Sequence, residues 1–466
     1  MYTPQFGDMP TAAPVSYAAR LGTFSGTMLV VGGIIGAGIF LSPAVVAQRV
    51  GSPGLTLGAW GLGALVAIAG GFVYAELGAR RPRAGGTYVY LRDAFGTLPA
   101  FLYGWALFLV IGTGAIAAVA MTGANYLAEL LGAGADAGRP IAIALIVLLT
   151  ALNVLGVRIG ATAGNILTLL KLAAIAALVA AALFLTPRFP IDVTVSSVAV
   201  APPRGLADTA VAMGAALVPV LFSFGGWQQT NAVAEELVDP ERTLPRALIL
   251  GVLIVAATYL LVNVAYLRAL GLQGLAVSRA PAAESMGVYL GSMGRTIIAV
   301  GIITSTTGFL TMTILMSARV YQAMAADGLF FSSMARLHPR TQTPVAALVA
   351  QSVVALLLLV SGTYGQLLDY VVFADWIFFG STAAALFALR RKDAASGRSC
   401  TVRAPGHPVT TILFIAAALY VVLGSIVSNP SNALRGALLL AAGYPVYRYW
   451  HARRGALTVP FEERHT

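Results

Sequence analysis

The chain has 466 residues, of which 58% are hydrophobic and 10% charged, with a formal net charge of +11. A soluble domain carries about 25% charged residues, so a water-covered globular protein of this size is excluded. The positive charge is spread over short segments between apolar runs, which ties it to membrane orientation rather than to a nucleic acid partner, and the lone Cys400 leaves no internal disulfide to form.

Residues 1–22 are polar and lack an apolar core ending in a small-residue cleavage site, so they read as a tail and not as a signal peptide. Apolar runs long enough to cross a bilayer core of about 30 Å then follow one another. They lie at 23–48, 54–79, 98–130, 140–156, 159–186, 207–237, 243–270, 284–324, 344–361, 366–389, 408–428 and 432–450. The pattern predicts an all-α integral membrane protein of twelve spans. It divides into a tail (1–22), a first five-helix group (23–186), a second (207–389), two further helices (408–450) and a second tail (451–466). With that count, 20 of the 29 basic residues fall on the side of the termini and 8 on the other, leaving Lys171 inside a span. The positive-inside rule then places both termini in the cytoplasm.

The first span contains Gly32, Gly33, Gly36 and Gly38 within seven residues, each weakening a helix by roughly 1 kcal/mol relative to alanine. The sixth carries Gly225-Gly226 near its middle. These spans open the two five-helix groups. Five is odd, so the second group enters the membrane from the opposite side, which is the arithmetic of an inverted repeat. Gly-interrupted spans in corresponding positions point to a transporter's substrate site. Unwound backbone frees polar groups that lipid cannot satisfy. The N-terminus of the following half-helix attracts a carboxylate, and the carbonyls ending the preceding half attract an ammonium, so a zwitterion suits both. The blander alternative is close helix packing through small residues, for which Gly32 and Gly36 have the spacing.

Three segments carry a family resemblance: GGIIGAGIFLSP (32–43), RPRAGGTYVYLRDAFG (81–96) and FSFGGWQQTNAVAEELVDPERTLPRAL (222–248). They resemble the amino acid–polyamine–organocation transporters, in particular bacterial relatives of the L-type amino acid transporters. The resemblance implies a five-plus-five fold with broken helices one and six, working by alternating access. It implies that a substrate carboxylate meets the N–H groups of Gly36, Ala37 and Gly38. Its ammonium meets carbonyls of Ile34, Phe222, Ser223 and Gly225, with Phe224 in the same segment and Phe222 as an aromatic gate. Many similar transporters have serine where this chain has Ala37, which removes one hydroxyl contact. The resemblance further implies that Lys171 stands where sodium-coupled proteins of this fold hold the ion, bridging the first break and the hydroxyls of Ser305 or Thr306. Mammalian L-type proteins bind a heavy subunit through a cysteine in the loop after span three. In this chain that loop, Leu131 to Arg139, has none, so no disulfide-linked partner is expected.

Lys171 also stands out without the resemblance, because a cation at bilayer depth costs roughly 2.5–3.5 kcal/mol and must face a polar interior. Glu76, Glu235, Glu236, Asp369 and Asp375 are expected near interfaces, solvated or paired. Tyr88 and Tyr90 are expected in an interfacial loop, and Tyr444, Tyr447, Tyr449 and Trp450 in an aromatic belt. His338, His407, His451 and His465 have no metal-ligand spacing, and no nucleotide-binding or hydrolase motif is present, so neither a metal, a cofactor nor an enzyme activity is expected. The function expected is sodium-independent exchange or facilitated passage of neutral L-amino acids across a bacterial cytoplasmic membrane, with amino acid and lipid as partners. Proton-coupled uptake is the alternative, and a membrane sensor that binds without transporting is a further one.

Overall fold

A computed structural model describes residues 16–189, 202–203, 205–362, 364–428 and 430–458. The remainder of the predicted tails, His465 and the side chain of Asp369 lie outside the described residues. The described chain is all helical apart from one parallel bridge between Leu21 and Leu237.

The first apolar run is two helices, α1 (Thr23–Ile34) and α2 (Gly38–Val50), bent by 45° at a short break. α3 (Pro53–Arg80) starts with Pro53 in the first turn and Ser52 as its cap, a position where proline loses no helical hydrogen bond. The amphipathic α4 (Thr87–Phe95) leads to α5 (Thr97–Ala106), a π turn at Leu107–Ile111, and α6 (Gly112–Leu130). α7 (Gly138–Val154) and α8 (Val157–Phe184) follow. α9 (Leu206–Ser223) ends in a second break, and the chain continues as a 3-10 helix, Trp227–Glu236. α10 (Pro240–Val277) kinks at Gly271 and α11 (Pro281–Ala326) at Gly291, both with positive φ. The predicted end of span seven at 270 thus matches a kink, whereas residues 281–290 form a separate short helix before the long part of α11. α12 (Val345–Ser361), α13 (Tyr364–Ala395), α14 (Val409–Ser428) and α15 (Pro430–Thr458) complete the chain. Among the described residues seven helices are long and apolar enough to cross a membrane, and the bent α1–α2 pair makes an eighth.

The centre is built by α1, α3, α6, α8, α10 and α11, which pack on one another; α14 and α15 lie outside, against α13, α3 and α5. Small residues set these distances. A Cβ added to Gly251 would come within 2.5 Å of Val30, and one added to Gly164 would collide with Met312. Dispersion between close backbones, not an aqueous hydrophobic effect, holds such helices together in lipid.

One end of the bundle is sealed by polar contacts. The Arg20 and Leu21 N–H groups donate to the Glu236 carbonyl at 2.9 Å, and Val238 N–H returns to Leu21 at 2.9 Å. The fully buried Arg319 pairs with Glu236 at 2.7 Å, with the Tyr17 ring 5.8 Å from its guanidinium. Glu76, also buried, accepts from Arg80 and Arg390 at 2.6–2.8 Å and from Ala404 N–H at 2.7 Å. These two acids are paired inside the protein and not at a solvated rim. Tyr88 and Tyr90 correct the expectation of an interfacial loop, because both are fully buried. The cause is local: Gly85 and Gly86 take positive φ, and a Cβ on Gly86 would meet Asn231 and Ala232 at 2.8 Å. That close approach brings α4 under the bundle, where Tyr90 donates to Asn231 Oδ1 and Tyr88 to Asp327, each at 2.8 Å. Tyr447 is likewise buried and bonds Thr97 at 2.8 Å, whereas Tyr444 and Tyr449 are exposed.

Candidate binding site

A cavity of about 240 Å³ lies between the two breaks. Of the residues singled out in the sequence, Ile34, Gly36, Ala37, Gly38, Phe222, Ser223 and Gly225 all line it. The two breaks touch through backbone. Gly226 has φ +114°, and a Cβ there would stand 2.0 Å from the Gly33 carbonyl oxygen. Only glycine satisfies both requirements.

At the first break α1 ends with its last carbonyls unpaired by its own helix, as every helix does. Lys171 Nζ, on α8 and fully buried, donates to the Ile35 carbonyl at 2.6 Å and to Gly32 at 3.3 Å. Ser305 Oγ, on α11, lies 3.2 Å from the Ile35 and 3.4 Å from the Gly36 carbonyl. Lys171 and Ser305 therefore share one acceptor. Thr306 does not join them: its hydroxyl bonds the Ile302 and Ile303 carbonyls of its own helix and faces Gly123 on α6. A helix turns about 100° per residue, so adjacent hydroxyls on α11 address different neighbours.

Ile35 bends the chain tightly (φ −74°, ψ 89°), and Gly36 N–H turns back to the Ile34 carbonyl at 2.9 Å, the geometry of an inverse γ-turn. The Gly36 donor is thus engaged within the break. The opening N–H groups of α2, at Gly38 and Ile39, have no acceptor within their helix, and Phe40 N–H is taken by the Ala37 carbonyl at 3.1 Å. Together with Ala37 they form the anion-attracting end.

At the second break Gly225 N–H donates to the Phe222 carbonyl at 3.1 Å, and Gly226 N–H to Gln228 Oε1 at 2.9 Å. Ser223 Oγ lies 2.9 Å from Ser42 Oγ. Phe222 is 39% exposed and stands in the cavity wall. Phe224 is 1% exposed and does not line this cavity; its ring packs 4.9 Å from Tyr259 and 6.0 Å from Trp60. It supports the break from behind and does not face a ligand.

Sequence reasoning missed several participants. The Tyr259 hydroxyl on α10 lies 3.0 Å from the Ser223 carbonyl and 3.3 Å from Ile34, so one proton spans both breaks. Phe309 packs on Gly36, and Gln229 reaches the cavity from the 3-10 helix. Asp375, expected near an interface, lines the cavity. The signal was present for Tyr259 and Asp375, since polar groups inside apolar runs mark interior faces. Which helix face each occupies is not readable without the packing of the bundle, and that concealed it. No group of three or more His, Cys, Asp or Glu able to hold a metal occurs among the described residues.

Residues 21–444 match the amino acid permease family. The serine/threonine exchanger SteT of Bacillus subtilis is 30% identical over 431 residues, covering 92% of this chain and 96% of its own. Large neutral amino acids transporter small subunit 2 of Oryctolagus cuniculus is 33% identical over 463 residues, covering 95% of this chain and 84% of its own. Asc-type amino acid transporter 1 of Mus musculus is 32% identical over 442 residues, covering 93% and 81%. A chain with helices long and apolar enough to span a membrane, matched along nearly its whole length by amino acid transporters, belongs to the amino acid permease family.

Proposed function

We propose that this protein exchanges neutral L-amino acids across the bacterial cytoplasmic membrane by alternating access, without sodium. The observation that carries the proposal is the pair of breaks facing one cavity, with the Lys171 ammonium fixed on the carbonyls of the first. A zwitterion offers its carboxylate to Ala37 and Gly38, at the positive end of α2. Its ammonium goes to the carbonyl side, at Ile34, Phe222, Ser223 and Gly225. Lys171 sets its amino group against carbonyls that would otherwise serve a bound cation, and Ser305 adds a hydroxyl to the same acceptor. That is the reason for sodium independence. Phe222 acts as the gate over the ligand.

The architecture proposed with this function has twelve crossings. The α1–α2 pair, α3, α5–α6, α7 and α8 form one five-span repeat. The α9–3-10 pair, α10, α11, α12 and α13 form its inverted copy, and α14 and α15 follow. Both termini are cytoplasmic. Cys400 follows α13, close to the ion pairs around Glu76. This is the cytoplasmic side of the proposed topology, a reducing compartment, so no disulfide-linked heavy subunit is expected.

The test is counterflow with purified protein in proteoliposomes, with choline in place of sodium. Labelled neutral amino acid should enter only when unlabelled amino acid is trapped inside, at the same rate in either salt. A requirement for sodium sinks the role assigned to Lys171. Uptake into empty vesicles driven by an inward proton gradient replaces exchange with proton symport.

A further inference from the structure

Asp375 is the one ionisable residue lining the cavity among the described residues. It sits well inside α13, eleven residues after Tyr364, about 16 Å along a helix. No hydrogen bond or ion pair reaches its carboxylate from the described residues, in contrast to Glu76, Glu236 and Asp393, each of which is held by arginine. The buried Lys171 ammonium is spent on the Gly32 and Ile35 carbonyls. Gln229 Oε1 is a second acceptor in the lining, buried and without a partner. The rest of the lining is mainly apolar, with Phe309, Trp376 and Phe379 among it, and its other polar side chains are the neutral Ser42, Thr122, Ser223 and Gln228.

An unpartnered carboxylate and an unpartnered amide oxygen in such a wall are expensive. They become favourable when a donor arrives. The breaks engage the α-carboxylate and α-ammonium of a bound amino acid, so the part left to meet this wall is the side chain. We infer that Asp375 selects amino acids whose side chain donates a hydrogen bond, through a hydroxyl, amide or ammonium, over aliphatic ones of the same shape. This inference rests on the transport reading above and specifies the substrate class for the same cavity.

Threonine and valine provide the test, because they are near-isosteric and differ by a hydroxyl in place of a methyl. A pocket built to bond a hydroxyl rejects the analogue without it far more strongly than an apolar pocket distinguishes the pair. In proteoliposomes, competition against labelled substrate should show threonine inhibiting at a concentration at least about tenfold lower than valine. Asp375→Leu should bring that ratio close to one. Asp375→Asn, whose oxygen still accepts but without charge, should leave an intermediate ratio. The ratio is taken within one protein, so a loss of folded material cancels from it. If Asp375→Leu does not reconstitute, Asp375→Asn alone decides.

Equal inhibition by threonine and valine in the unaltered protein overturns the inference while leaving exchange intact, and so does a ratio unchanged in the variants. Preference for lysine over leucine, lost in Asp375→Leu, upholds the inference and overturns the restriction to neutral substrates. Absence of counterflow with any amino acid removes both.

Discussion

The first break, Ile35 to Ala37, is held by helices other than its own. Lys171 reaches it from α8, Ser305 from α11 and Tyr259 from α10. The second, Phe224 to Gly226, shares Tyr259 through the Ser223 carbonyl just before it, at 3.0 Å, and is otherwise held mainly by its own chain. Gly225 turns to Phe222, Gln228 caps Gly226, and Gln229 N–H returns to the Gly226 carbonyl at 3.2 Å. Across the gap Gly226 lies against Gly33 with no room for a side chain. One break is therefore kept open by charge and hydroxyls brought from outside, and the other by the absence of atoms. Damage should be graded at the first and steep at the second.

The steepest effect is expected for Gly226→Ala. The new Cβ would stand 2.0 Å from a backbone oxygen, in a conformation at φ +114° that alanine disfavours. Strain and clash together should reduce exchange at least about a hundredfold, roughly 3 kcal/mol. Counterflow per folded protein, with folding checked by size-exclusion chromatography, measures it. Near-normal exchange would show that the two breaks can part enough to admit a methyl group.

Next comes Lys171→Met, which keeps the length and removes the charge. The Ile35 and Gly32 carbonyls would lose a charged donor, a loss of about 1.5–3 kcal/mol. Exchange should fall roughly ten- to a hundredfold. Smallest is Ser305→Ala, because Lys171 still serves Ile35. A neutral hydrogen bond contributes about 0.5–1.5 kcal/mol, so exchange should drop about two- to tenfold. The same assay ranks the two, and a larger loss for Ser305→Ala would mean that the hydroxyl, not the charge, holds the first break.

The glycine cluster from Gly32 to Gly38 made the bend between α1 and α2 legible in the sequence, and Gly225-Gly226 lies where α9 gives way to a 3-10 helix, whereas Gly70-Gly71 sits within the uninterrupted α3. The side-chain directions around the second break were not legible. Phe222 and Phe224 are two residues apart, and once the helical period is interrupted nothing in the sequence fixes which ring faces the cavity. The structure turns Phe222 toward the cavity and packs Phe224 against Tyr259 with the rings tilted. Ser305 and Thr306 posed the same difficulty on an intact helix, where adjacent hydroxyls face α1 and α6 respectively. Tyr88 and Tyr90 were misjudged because nine residues of α4 are too short for periodicity to separate a loop on lipid from a helix tucked under the bundle. The glycine pair that tucks it, Gly85-Gly86, reads locally as an ordinary turn.

The π turn at Leu107–Ile111 has a bearing on how this chain aligns with its relatives. Its widened backbone is held from outside by α11, where Tyr321 donates to the Leu107 carbonyl at 3.1 Å, and from its own helix by Thr113, which donates to the Phe108 carbonyl at 2.9 Å. A π turn is an α-helix with one residue inserted. Deleting a single residue there would close the wide turn into ordinary α-helix and leave α6 facing as it does, because the wide turn absorbs the extra residue. Ala115, Ala118, Val119 and Thr122, which form a wall of the cavity, would stay on it. A one-residue gap at this point in an alignment would therefore mark the loss of the wide turn and the same cavity wall, whereas the same gap inside α6 would turn everything beyond it by about 100°.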